Sequence, residues 1–228
     1  MEVTRNDNYQ HNEALIAEIH ELIAPSYKEA GSHITKDIEL CPLLYTINSP
    51  EGKMLALFMA GFHKVNGLDC YYLGLGACRN EYKNQGFLKK LYLEFARDCI
   101  RKELELNKRI VCYWTTATPI IYHWFNKYFT DTQPDYLGNC SPDAVKMILS
   151  IAQAQYPDVE FDEACPFVLR HAAHHINYSD EERARLKKAA LDLNLGVFDK
   201  FRLDETQGDR FLMIGYAPSH EKFIALTQ

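Results

Sequence analysis

Lys83-Asn84-Gln85-Gly86 leads directly into a run whose apolar positions, Phe87, Leu88, Leu91, Tyr92, Phe95, Ala96 and Cys99, recur at helical spacing. The first N–H groups of a helix have no partner within it and lie at the positive end of its dipole. The junction therefore suits an anion, and a diphosphate in particular. Gly86 admits close approach to the backbone, and Lys83, Lys89 and Lys90 add positive charge nearby. Upstream, residues 68–79 contain Gly74 and Gly76, which leave space against a strand backbone. Downstream, residues 109–116 (Arg-Ile-Val-Cys-Tyr-Trp-Thr-Thr) have the β-branched and aromatic make-up of a buried strand, a natural second wall for a cleft.

Other elements must hold these walls. Leu15, Ile16, Ile19, Leu22 and Ile23 form a helical stripe that ends near Pro25, and a short helix follows before Cys41-Pro42. Residues 43–48, 53–63 and 68–79 read as three successive antiparallel strands, joined by turns at Ser49-Pro50-Glu51-Gly52 and Asn66-Gly67. The helix entered at Gly86 runs to about Leu106. Thr118-Pro119 starts another that ends near Phe129. Beyond it come a loop over 131–138, a helix from Ser141-Pro142-Asp143 to about Tyr156, and a strand over 166–171. A helix opened by the capping box Ser179-Asp180-Glu181-Glu182 then runs to about Asn194, and a last strand covers 210–216.

The stretch 83–88 is similar to the acyl-CoA motif of the GNAT superfamily of N-acyltransferases, whose loop is written Arg/Gln-x-x-Gly-x-Gly/Ala; the element order over 1–130 and 210–217 is similar too. The resemblance implies a single α/β domain over 1–228, with a mixed, mostly antiparallel, splayed sheet flanked by helices. A helical insertion, 131–209, would precede the last strands and border the acceptor site; it has no counterpart in the resemblance. The pantetheine arm of the CoA thioester would pair with the first splayed strand near Leu75, Ala77 and Cys78. Its pyrophosphate would sit on the amides of Lys83, Asn84, Gln85, Gly86, Phe87 and Leu88. Acetyl-CoA would be the cosubstrate, and an acetyl or other short acyl group would pass to a primary amine of a small molecule or peptide. Two positions depart from the motif: Lys83 replaces Arg or Gln, and Leu88 replaces the second small residue. Contacts made by main-chain N–H groups survive both changes.

Direct attack of an amine on a thioester needs a base for the ammonium, a donor for the oxyanion and an acid for the thiolate. The family often supplies the acid as a tyrosine on the helix after the second splayed strand, and the matching position here is Phe125. Tyr122, one turn earlier, and Tyr128 stand in for it; a phenol near pH 10 suits a thiolate, although a tyrosine in an amphipathic helix also belongs in a core. Glu81, His63, His123 and a water chain are alternatives for the base. A backbone N–H near Cys78 would polarise the carbonyl. Cys78 itself reads as a small buried side chain, because no paired His and Asp accompany it. Cys165, His171, His174 and His175 match no zinc spacing, so no metal is expected.

Composition narrows the classes. Hydrophobic residues at 47% and charged ones at 25% suit a globular chain, and the net charge of -6 argues against nucleic-acid binding while suiting a cationic acceptor. No basic stretch followed by an apolar run opens the sequence, and no apolar run is long enough for a membrane. The seven cysteines are scattered without a CxxC pair, which points to reduced thiols and a cytoplasmic location. A homodimer is compatible with all of this. The rivals are a non-catalytic acyl-CoA sensor or scaffold, motivated by Phe125 and by a first splayed strand lacking glutamate, and a transferase that acylates a protein or uses another donor.

Overall fold

The computed structural model of the chain describes every residue except 30, 160, 162–164, 174–176, 194–195 and 228. Its centre is a meander of β3 (Leu43–Asn48), β4 (Met54–Val65) and β5 (Leu68–Cys78). The turns between them close at Gly52 and at Asn66-Gly67, all with positive φ. β1 (Val3–Asp7) adds antiparallel to β3, and its exposed polar residues suit an edge. After α3 (Phe87–Leu106), β6 (Val111–Thr116) lies parallel to β5, and β10 (Arg210–Tyr216) pairs antiparallel with β6. β7 (Thr130–Gln133) and β8 (Val168–Leu169) both join β10, so the eight-stranded sheet runs β1-β3-β4-β5-β6-β10-β7 with β8 off the path. The mixed, mostly antiparallel sheet flanked by helices is as the sequence implied.

Side chains alternate across a strand. Tyr71 meets Phe95 of α3, whereas Tyr72 donates to Asp37 of α2 (Gly31–Leu40). In the same way Trp114 meets Tyr92 of α3, while Thr115 meets the Tyr156 hydroxyl just past α5 (Pro142–Gln155). The sheet thus separates α3 from α2 and α5. α1 (Glu13–Ile23) packs on β4 and β5, and α4 (Pro119–Tyr128) follows β6. An aromatic cluster of Tyr45, Phe58, Tyr92 and Phe95 fills the α3 side. Within it the buried Asp98 carboxylate accepts from the Tyr45 hydroxyl at 2.7 Å and from Arg5 at 2.6 Å, which satisfies an otherwise costly charge.

The segment 131–209 is helical in part: α5, α6 (Asp180–Ala190) and α7 (Val197–Lys200) alternate with strand pieces. Ser141 and Ser179 cap α5 and α6 as their sequences require, accepting from Ala144 N–H and Glu182 N–H. The expected end of the second helix at Asn194 lies outside the described residues. β9 (Asn177–Tyr178) pairs with β2 (Tyr27–Glu29) in a separate ribbon that ties the insertion to the first part of the chain. A last helix, α8 (His220–Thr227), packs on α3.

Candidate active site

β5 and β6 pair only at Cys70–Val111, Tyr71–Cys112 and Tyr72–Tyr113, and then part. The cause is local. Phe58 of β4 faces Gly76 and Ala60 faces Leu73, so Gly74 and Leu75 together oppose Met59 in a bulge that bends β5 away. The two glycines serve this bend differently from the expectation that a ligand lies against them. A Cβ on Gly74 would stand 2.6 Å from the Cys41 sulfur, and one on Gly76 3.1 Å from the Tyr92 hydroxyl. Protein atoms fill the side on which a Cβ would stand, while the backbone of both glycines borders open space.

Past Cys78, a short turn leads to Asn84 and Gly86, both in the left-handed region at φ 66° and 77°. Gly86 is the N-cap of α3, and the first helical bond runs from Lys90 N–H to its carbonyl at 3.1 Å. Among the described residues no acceptor takes the N–H groups of residues 84–89. A Cβ built on Gly86 meets nothing within 4 Å, so the approach is open. The expected cation behaves otherwise. Lys83 is engaged by Glu182 of α6 at 2.8 Å, and Glu182 also takes two bonds from Arg185. Burial alone would raise the Glu182 carboxyl, but Arg185 and Lys83 hold it below the usual range.

A cleft of about 450 Å³ extends from Ala77 and Cys78 across the loop to the α4 face carrying Trp124 and Tyr128, and Arg185 and Leu186 of α6 roof it. A second cavity of about 80 Å³ lies in the fork between Gly74–Gly76 and Trp114–Ala117. Tyr27, Gly76, Ile121 and Tyr178 line both spaces and so mark the neck between them. Of the expected CoA-binding residues, Ala77, Cys78, Lys83, Asn84, Gly86, Phe87 and Leu88 line the cleft, and Leu75 lines the smaller cavity. Gln85 lines neither, and its side chain donates to the Glu81 carbonyl at 3.2 Å.

The expected catalytic groups fare less well. Tyr122 is fully buried and donates to the Pro134 carbonyl at 2.8 Å, wedged among Tyr136, Phe198 and Phe211. It lies on the core face of α4, as does Phe125, so neither reaches the cleft. His123 is half-buried, depressed in pKa by burial and by Lys127, and lines neither space. Glu81 is exposed on the turn after β5 and lines neither. His63, depressed by burial, ends against the backbone of Leu40. Tyr128 does line the cleft, two turns along α4 from the neck residue Ile121. Burial pushes the Cys78 thiol up to about 11, as befits a packing residue rather than a nucleophile. Sequence reasoning missed Tyr27, Asp37, Tyr178 and Arg210, which surround the fork.

No family model matches the chain, and no curated protein matches it. Solved structures similar to it in part include a conserved protein of unknown function from Enterococcus faecalis, with a TM-score of 0.40 and 14% identity over 56% of this chain. A GNAT family N-acetyltransferase from Escherichia coli in complex with CoA gives 0.40 and 17% over 54%. Naa50 of Arabidopsis thaliana, with a bisubstrate analogue, gives 0.42 and 14% over 62% of this chain and 93% of that one. The chain spans 32% of the Enterococcus protein and 66% of the Escherichia coli one. Likenesses of this size leave the reading of the site to its own geometry. Among the described residues no three His, Cys, Asp or Glu side chains are grouped to hold a metal, and no helix is long and apolar enough to cross a membrane. His174 and His175 lie outside the described residues, and all seven cysteines are free thiols.

Proposed function

We propose that the chain is an acyl-CoA-dependent N-acyltransferase that passes an acetyl or other short acyl group to a primary amine. One observation carries this reading: the cleft at the open amides of residues 84–89 adjoins the fork where β5 and β6 part, the two sharing Tyr27, Gly76, Ile121 and Tyr178 as walls. A CoA thioester has the matching outline, a diphosphate followed by an extended arm with two amides and a terminal sulfur. The diphosphate suits a helix N-terminus whose amides are free. Beyond Tyr72 the β6-facing edge of β5 has lost its strand partner, so an extended amide chain adds there as a strand would. Ala77 and Cys78 would follow the arm and residues 83–88 the phosphates, while Leu75 would lie past the end of the arm, in the fork.

The thioester carbon would then lie at the neck. The amine loses one proton before attack; its nitrogen bonds to the acyl carbon as the C–S bond breaks, a second proton leaves the new amide, and the thiolate takes one up. Tyr178 would supply that last proton, a role supported by its lining both cleft and fork. Burial raises its pKa, so it stays protonated at neutral pH and able to donate. It replaces Tyr122 in the role expected from the sequence.

Calorimetry with CoA and release of free thiol from acetyl-CoA in the presence of amines test the proposal. Binding with turnover supports it, binding without turnover on any amine favours the sensor, and absence of CoA binding removes both.

A further inference from the structure

The small cavity carries both signs of charge. Asp37, 1% exposed, lines it from α2, with one carboxylate oxygen fixed by the Tyr72 hydroxyl at 2.7 Å. Arg210, 7% exposed, lines it from the first residue of β10. The guanidinium donates to the backbone carbonyl of Asp209 at 2.8 Å, and among the described residues no carboxylate pairs with it. The adjacent Asp209 carboxylate is engaged elsewhere, by Arg170 at 2.5 Å and by the N–H groups of His171 and Asp204. A guanidinium that is buried without an anion is costly and is therefore poised for one.

The two charges share neighbours. Burial raises the phenols of Tyr27 and Tyr156; the field of Asp37 raises both further, and that of Arg210 pulls both back. Tyr156 fixes its hydroxyl against Thr115, and Tyr27 stacks on Tyr178 at 5.2 Å. A carboxylate and a guanidinium thus flank one small chamber that adjoins the cleft at the neck. About 80 Å³ admits only a few heavy atoms.

Building on the acyltransferase reading, we propose that this chamber is the acceptor subsite and that the acceptor is a small α-amino acid. Its ammonium meets Asp37 and its carboxylate meets Arg210. Asp37 takes the first ammonium proton, leaving a neutral amine at the neck to attack the thioester carbon. A simple amine enters the same chamber but leaves Arg210 unpaired, and a buried site built for a charged group rejects the analogue that lacks it.

The test uses the full chain with acetyl-CoA and follows free thiol, comparing glycine, alanine and serine with methylamine, ethylamine and ethanolamine. At least one amino acid should exceed its descarboxy counterpart by about 100-fold or more in kcat/KM, as the loss of a buried charge-assisted pair implies. Arg210→Gln should lower kcat/KM for the amino acid at least about 30-fold more than for the amine, with CoA affinity by calorimetry as the check that the variant folds. Should that variant not fold, the wild-type comparison decides alone. Equal use of both acceptor classes by the wild type overturns the proposal. So does an equal fall for both in the variant, which would put Arg210 on the thioester oxygen. CoA binding with no amino acid turned over removes the acceptor assignment and leaves the donor site standing; no CoA binding removes both.

Discussion

Gly86→Glu separates backbone strain from phosphate recognition. At φ 77° and ψ 10° the position is left-handed, so any non-glycine residue there loses about 1–2 kcal/mol of folding stability. Space is not the difficulty, because a Cβ meets nothing within 4 Å. Gly86→Ala should therefore lower Tm while leaving the affinity for CoA near that of the wild type. Glutamate adds a charge beside the open amides. At ~6 Å, with an effective dielectric constant near 60, each phosphate charge is repelled by about 1 kcal/mol. Two such charges amount to about 2 kcal/mol, or roughly 30-fold in Kd. The two variants should show similar loss of Tm, and calorimetry at low salt should separate them in Kd. At 1 M salt, where the screening length falls to about 3 Å, the difference should largely vanish. Equal Kd values for the alanine and glutamate variants at low salt would refute a phosphate site at this turn.

Three other outcomes follow from the same geometry. Tyr178→Phe should slow acetyl transfer by about 10- to 100-fold, with CoA affinity unchanged in calorimetry; a proportional loss of both would make it a packing residue. Tyr122→Phe should lower stability by about 1 kcal/mol through the lost bond to Pro134, measured by denaturant titration, and leave turnover within about twofold. Because the Glu182 carboxyl is held below its usual range, its contribution to stability is present above its unfolded pKa of about 4.3 and lost as pH falls through the lower folded value. The fluorescence of Trp124, beneath α6, should accordingly hold steady from pH 7 to 5 and change only in more acidic solution. A transition near pH 6 would contradict the ion pairing.

The strand, turn and helix around Gly86 were legible in the sequence because they are local. A strand, a glycine-marked turn and an amphipathic helix follow one another over 68–106, and turn residues with positive φ punctuate them at Asn66, Gly67, Asn84 and Gly86. Of the strands missed, β7 (Thr-Asp-Thr-Gln) and β1 (Val-Thr-Arg-Asn-Asp) are polar, carry no apolar alternation and are held by their neighbours, and β2 and β9 are too short for any pattern. Tyr122 was misplaced by a matter of rotation. Trp124 and Tyr128 share the cleft face of α4 with Ile121, while Tyr122 and Phe125 turn to the core, and helical periodicity alone does not say which stripe meets a ligand. Asp37 and Arg210 left no motif at all. Each sits alone in its segment, and only the strand order brings α2 and the start of β10 to one chamber.

The ribbon of β2 and β9 divides the labour of the chain. Everything the larger cleft draws from the main sheet and the loop comes from one uninterrupted stretch, whereas Tyr27 and Tyr178 face one another across this ribbon from distant parts of the sequence. Substitutions in the ribbon can thus reshape the doorway to the chamber without touching the turn at Gly86. On the proposed reading, choice of donor and choice of acceptor would be separable by mutation, and a change of acceptor preference is to be sought at those two tyrosines first.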